Sequence, residues 1–146
     1  MQNKNFMSEA KKILMIEDDR FLRKIYRDKL TKAGFEFIEA TNGIEGINKV
    51  ISERPDLVLL DLILPRKNGF DVLIDMKSNK NTKDIPVIIL SNLGQESDIK
   101  RGLALGAQDY LVKTEVSLSE VVDKAKEWLI KKPWTPLEVL DRKNLS

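Results

Sequence analysis

Cysteine and histidine are both absent from this chain of 146 residues. Without cysteine there is no disulfide and no thiolate metal site, although that absence identifies no compartment. Without histidine there is no Ser-His-Asp triad, no imidazole ligand and no phosphohistidine of the chain's own, so any phosphohistidine chemistry must involve a second protein. No run of eighteen apolar residues occurs and no signal-peptide core is found, which predicts a soluble, cytoplasmic protein with no membrane partner. An excess of one charge is lacking as well: 25 Lys and Arg stand against 23 Asp and Glu, a net charge of +2. That balance argues against a chain built to coat nucleic acid. Internal repeats and low-complexity tracts are also missing. What is present suits one compact domain, with 42% hydrophobic residues for a core and a somewhat high 33% charged residues.

Short apolar runs alternate with stretches of helical spacing. Ile13 to Ile16, Phe35 to Ile38, Leu57 to Leu60, Ile85 to Leu90 and Tyr110 to Val112 read as five strands. Pro86 fits the start of its strand, where a missing N–H is tolerated. Phe21, Leu22, Ile25, Tyr26 and Leu30 mark a first helix that Gly34 stops. Ile44, Ile47, Val50 and Ile51 mark a second, ending near Pro55, and Phe70, Val72, Leu73 and Met76 a third. Ile99, Leu103 and Leu105 lie on a fourth, stopped by Gly106; Leu118, Val121, Val122, Ala125, Trp128 and Leu129 give a fifth. This alternation predicts a doubly wound α/β fold, with parallel strands and crossover helices on both faces. Continuous apolar strands fit a sheet buried on both sides. Residues 1–10 are polar and expected to be loose, 11–132 form the domain, and 133–146 are an extension. There Thr135 as N-cap, Pro136 and Glu138 start a short helix to about Arg142 that needs packing to be stable. Trp134, Leu137 and Leu140 would be its anchors, against the domain or in self-association.

The strand ends carry the chemistry. Asp61 closes the apolar run Leu57 to Leu60 and is followed by Leu62-Ile63-Leu64-Pro65 and then Gly69. A carboxylate in such a setting is costly unless something pairs with it. The first strand ends in Glu17-Asp18-Asp19, the fourth in Ser91 and the fifth in Lys113. In a parallel sheet these ends share one edge, where ligands of such folds bind. Three carboxylates together repel, and oxygen ligands without His or Cys point to Mg²⁺ as the counter-charge. An Asp beside Mg²⁺ can attack phosphorus, with a hydroxyl and an ammonium to take phosphoryl oxygens. The next residue, Asp19, reads as an N-cap, and Arg20, Arg23, Lys24, Arg27, Lys29 and Lys32 as a solvated helix face or a docking face for an acidic partner.

Together, Ile16-Glu17-Asp18-Asp19, Asp61 with Pro65 and Gly69, Ser91, and Gly106-Ala107-Gln108-Asp109-Tyr110-Leu111-Val112-Lys113 resemble the response-regulator receiver domain of two-component signalling. The resemblance runs from about Lys11 to Lys132. It implies a flavodoxin-like five-stranded sheet of order 2-1-3-4-5 with five helices. It implies that Asp61 is the phosphoryl acceptor, that Glu17, Asp18, Asp61 and the Ile63 backbone carbonyl hold Mg²⁺, and that Lys113 contacts the phosphoryl group. Ser91 would move toward that group and Tyr110 would turn inward behind it. The donor would be a sensor histidine kinase or a His phosphotransfer protein. The target would bind the face made by the fourth helix, fifth strand and fifth helix, with self-association on phosphorylation and no direct DNA binding.

Three departures matter. Thr114 follows Lys113 where the family has Pro, commonly after a cis bond; a cis bond before Thr costs about 2.5–4 kcal/mol, so a trans bond with an adjusted loop is expected. Asn92 stands after Ser91, where a small residue is common. Ile63 and Leu93, at the positions that tune hydrolysis, are apolar and predict a long-lived phosphoryl group. A haloacid-dehalogenase-type phosphatase would need a second Asp where Ile63 stands. A degenerate receiver serving as a scaffold is the other alternative, disfavoured by the complete set of site residues. About fifteen residues after the fifth helix leave no room for a DNA-binding module, so a stand-alone receiver is expected.

Overall fold

The computed structural model describes residues 10–130. The predicted helix of the C-terminal extension and its anchors lie outside them. In chain order the elements are β1 (Lys12–Ile16), α1 (Arg20–Lys32), β2 (Glu36–Ala40), α2 (Gly43–Glu53), β3 (Leu57–Leu60) and α3 (Gly69–Ser78). β4 (Val87–Ser91), α4 (Glu96–Ala104), β5 (Asp109–Val112) and α5 (Leu118–Ile130) complete them, with a single 3-10 turn at Lys113–Glu115. The strands form one parallel sheet in the order β2-β1-β3-β4-β5, the flavodoxin-like order that the resemblance implied.

Successive strand residues point to opposite faces, so the sheet has two cores. Ile13, Met15, Leu57, Leu59, Ile88 and Leu90 pack with Tyr26 and Leu30 of α1 and with Val121, Ala125 and Trp128 of α5. Leu14, Ile16, Val58, Leu60, Val87 and Ile89 pack on the other side with Val50 of α2 and with Phe70, Leu73 and Met76 of α3. The register sets Ile16 beside Leu60, Leu60 beside Ile89 and Ser91 beside Val112. The carboxyl ends of four strands are therefore nearly level. Side chains of Asp19, Asn42 and Asn68 cap α1, α2 and α3 by accepting a first-turn amide at 3.1, 2.9 and 3.0 Å. Each such cap contributes about 1 kcal/mol.

Leu57–Leu60 has the expected bounds, β1 and β5 each begin one residue earlier than expected, at Lys12 and Asp109, and β2 and β4 differ at both ends. β2 begins at Glu36 because the Phe35 amide is still bonded to the Leu30 carbonyl, at 3.1 Å, as part of the turn that ends α1. β4 begins at Val87 because Pro86 has no N–H to give; its carbonyl takes the Val58 amide at 3.0 Å. The first helix also differs. Tyr26 and Leu30 are buried and Leu22 packs against them, but Phe21 is 80% exposed and Ile25 is exposed too. The buried stripe runs through Leu22, Tyr26 and Leu30 at four-residue spacing, and Phe21 and Ile25 fall one position off it.

Candidate functional site

Asp61 sits immediately after β3, its amide bonded to the Ile16 carbonyl at 3.1 Å. The next residues turn sharply back. The Gly69 amide bonds to the Leu62 carbonyl at 2.9 Å, and a Cβ on Gly69 would stand 2.2 Å from the Asp61 carbonyl oxygen. Only glycine allows the start of α3 to come that close. The Asp61 side chain is 5% exposed. Its Oδ1 accepts the Ile63 amide at 3.2 Å and its Oδ2 accepts the Lys113 ammonium at 3.0 Å.

Glu17, just after β1, is 1% exposed. Its Oε2 accepts the Asp19 amide at 3.0 Å, and its Oε1 lies 2.6 Å from Lys113 Nζ. Burial raises the Glu17 carboxyl above its ordinary range, against the opposing pull of Lys113 and the Asp19 amide. Burial opposes the charge on Lys113, but the hydrogen bond to Glu17 and the field of Asp61 hold its amine above the usual value. Asp18 is exposed at the rim. Carboxylate oxygens of Glu17, Asp18 and Asp61 lie within 4.8 Å of one another. The sequence reading grouped these three with Lys113, and the geometry brings all four together. Asp19 caps α1 and is not in that group.

Ser91 is fully buried at the end of β4. Its Oγ accepts the Leu93 amide at 3.4 Å, and it makes no hydrogen bond to the acidic cluster. Tyr110 is buried as well, and its hydroxyl donates to the Leu93 carbonyl. Burial, then the Asp98 and Asp61 charges, push the Tyr110 hydroxyl up to about 12. Leu93 thus joins Ser91 to Tyr110 through its own amide and carbonyl. Asn92 between them is exposed, and the Ile63 side chain, 56% exposed, stands at the mouth. The Lys113–Thr114 bond is trans, as are all those among the described residues, and the chain accommodates Thr114 in the 3-10 turn.

Arg23, Arg27 and Gly102 meet partners that spacing along the chain does not show. Arg23 was grouped with a solvated basic face, yet its Nη1 donates to the Glu17 carbonyl at 2.9 Å and its Nε to Glu39 at 2.8 Å. Arg27 also pairs with Glu39, so the two arginines clamp the end of β2 to α1. Nothing local marks Glu39 as their partner. Gly102 lies in the last turn of α4, where a Cβ would meet Ile89 Cδ1 at 2.6 Å and the Tyr110 ring at 3.0 Å. Its signal is that glycine inside a helix costs about 1 kcal/mol relative to alanine, so a packing reason is expected.

Three carboxylates facing one ammonium leave net negative charge in a largely buried pocket. An all-oxygen set of that kind fits a small hard divalent cation.

A family model described as response regulator receiver domain matches residues 13–126. The DNA-binding dual master transcriptional regulator RpaA of Synechocystis is 39% identical over 102 residues, covering 70% of this chain and 42% of that protein. The chemotaxis protein CheY of Thermotoga maritima is 37% identical over 106 residues, covering 71% of this chain and 86% of that one. The crystal structure of the Mn²⁺-bound form of the response regulator Rcp1 has a TM-score of 0.74 at 28% identity, over 86% of this chain and 99% of that one. The chain spans about two fifths to three fifths of the length of the transcriptional regulators it matches. Among the described residues, no helix is long and apolar enough to cross a membrane.

Proposed function

Because the chain belongs to the response regulator receiver domain family, we propose that Asp61 accepts a phosphoryl group from a phosphohistidine of a separate sensor kinase or phosphotransfer protein, in a Mg²⁺-dependent reaction that alters partner binding. The observation that carries this reading is the meeting of Asp61, Glu17, Asp18 and Lys113 in one pocket at the carboxyl edge of the sheet. The protein would act in the cytoplasm as a signalling phosphoacceptor, catalysing only its own phosphorylation and slow dephosphorylation.

In the transfer, an Asp61 carboxylate oxygen bonds to phosphorus and the bond from phosphorus to the donor imidazole breaks. Asp61 is oriented beforehand, one oxygen on the Ile63 amide and the other on Lys113. Glu17, Asp18, Asp61 and the Ile63 carbonyl would hold Mg²⁺, which when bound neutralises charge on the phosphoryl oxygens. Lys113 then exchanges a carboxylate for a phosphoryl oxygen. The Ser91 hydroxyl takes another and gives up the Leu93 amide. Because the Leu93 carbonyl holds Tyr110, that movement reaches the ring and the surface of α4, β5 and α5, which we take as the target-binding and self-association face. The added charge, roughly −1.5 to −2 by analogy with other phosphorylations, shifts an existing equilibrium. The direct output proposed for this domain is protein contact.

The donor's approach is marked by α1. An open groove of about 680 Å³ beside the pocket is lined by Arg20, Phe21, Arg23, Lys24, Arg27 and Lys49, with Glu39 and Glu45 as its acidic members. Arg23 and Arg27 are committed to Glu39, whereas Arg20, Lys24 and the Phe21 ring face outward. This surface suits an acidic donor with an apolar recess for Phe21.

The test is incubation with acetyl phosphate and Mg²⁺, comparing the wild type with Asp61→Asn. Labelling of the wild type alone is the expected result. Label that survives the substitution overturns the site, and a wild type that neither labels nor binds Mg²⁺ returns the chain to the scaffold reading.

A further inference from the structure

Arg23 stands behind the acidic pocket rather than in it. It lies one turn into α1, and its side chain is only 13% exposed. The guanidinium divides two nitrogens between two strand ends. Nη1 donates to the Glu17 carbonyl at 2.9 Å, just past β1, and Nε donates to a Glu39 carboxylate oxygen at 2.8 Å, on β2. Arg27 pairs with the other Glu39 oxygen. The Glu17 amide donates to the Ala40 carbonyl at 3.0 Å. Both backbone groups of Glu17 are thus tied to β2, the amide directly and the carbonyl through Arg23.

The three acids of the pocket are held in different ways. Asp61 rests on the Ile63 amide and on Lys113, and the Glu17 side chain on Lys113 and the Asp19 amide. Asp18 is exposed, and among the described residues its side chain has no hydrogen-bond partner. Its place is set by the backbone that carries it. The Glu17 carbonyl belongs to the planar peptide unit leading into Asp18, so a bond to that oxygen fixes the plane and the direction in which Asp18 leaves it.

We infer that Arg23 is a positioning residue for the divalent-cation site: through the Glu17 carbonyl it keeps Asp18 within reach of Glu17 and Asp61, and Glu39 holds Arg23 in place. The inference rests on the Mg²⁺ reading proposed above. Groups that orient the ligands of a metal commonly change its affinity 10- to 100-fold when removed. Charge alone has the opposite consequence. A guanidinium beside a cation site repels the ion, so its loss by Coulomb's law tightens binding. The sign of the change separates positioning from charge.

The experiment titrates Mn²⁺ into the unphosphorylated full chain, follows the free ion by electron paramagnetic resonance, and adds Mg²⁺ as competitor. It is run at a temperature where circular dichroism shows each variant folded, so that a loss of stability alone leaves the affinity unchanged. Arg23→Gln should weaken binding about tenfold. Arg23→Lys keeps the charge, but its single nitrogen lacks the fork that serves both acceptors, and it should weaken binding several-fold. Arg27→Gln removes a charge from the same Glu39 yet leaves the Glu17 carbonyl bonded, and it should bind as the wild type does. Arg23 variants that bind the ion as tightly as the wild type, or more tightly, overturn the inference. So does equal weakening in Arg27→Gln, because the effect would then belong to the clamp on Glu39. A wild type that binds neither ion overturns the Mg²⁺ reading itself, and the role of Arg23 falls with it.

Discussion

The Lys113 ammonium stands nearer to Glu17, at 2.6 Å, than to Asp61, at 3.0 Å. Glu17 is the more deeply buried of the two carboxylates, and it is the one with the greater need of a neutralising partner. One ammonium therefore serves two buried acids, with Asp18 at the rim as a third.

Removing that ammonium should be costly. Lys113→Met leaves Glu17 buried and unpaired, and without divalent cations it should lower stability by about 3 kcal/mol. Adding Mg²⁺ should restore part of the loss if the acidic trio holds the ion. Urea denaturation with and without Mg²⁺ measures both effects, and a loss that Mg²⁺ leaves unchanged would count against the metal assignment.

Gly102→Ala places a methyl group 2.6 Å from Ile89 Cδ1 and 3.0 Å from the Tyr110 ring. The Ile89 terminus can give way, but the ring is held by Leu93, so α4 should shift outward. Overpacking of this kind costs about 1–3 kcal/mol, against roughly 1 kcal/mol gained from helix propensity. Net destabilisation with an altered near-ultraviolet signal from Tyr110 is expected; a more stable variant with an unchanged signal would show that the helix has slack there.

We propose that Ile63 and Leu93, both apolar, stand where an orienting group for attacking water would be needed. The phosphorylated protein should lose its label over minutes or longer. Ile63→Glu, at an exposed position with little effect on folding, should shorten that time several-fold. Decay of the wild type within seconds, followed by mass spectrometry or gel retardation, refutes the reading.

Lys77 sets a pH window. Its amine is about 8 in the folded chain, against an ordinary 10.5, so between those values the unfolded chain holds the extra proton. Stability then rises with pH across this window. The penalty for a buried charge is fully present below about 8. Lys77→Met loses two hydrogen bonds but also this slope, so the gap between wild type and variant should widen in favour of the wild type from pH 8 to 10.5. Parallel curves of midpoint against pH would show that the amine is not shifted.

The fold was largely legible in the residues. Leu57 to Leu60 is a strand with the predicted ends, because a four-residue apolar run closed by an acid leaves little freedom of register. The second strand shifted because helix termination at Gly34 uses the amide of Phe35, a contact that apolar spacing cannot show. Phe21 and Ile25 keep the helical spacing but lie outside the core; helical spacing assigns an angle, but a helix on the side of a sheet covers only one stripe.

Chain order and residue type alone determined the alternation of strands and helices, hence a parallel sheet with Glu17, Asp18, Asp61, Ser91 and Lys113 along one edge. Parallel strands all end on the same side, so no coordinate is needed for that step. The tertiary structure decided how these groups divide their partners: Lys113 between Glu17 and Asp61, Ser91 and Tyr110 on Leu93, Arg23 and Arg27 on Glu39, Lys77 on two carbonyls. These choices rest on separations of a few ångströms set by register, by helix approach at Gly102 and by burial. Periodicity says which face a side chain takes, but not how close it comes or which of two acids it meets first.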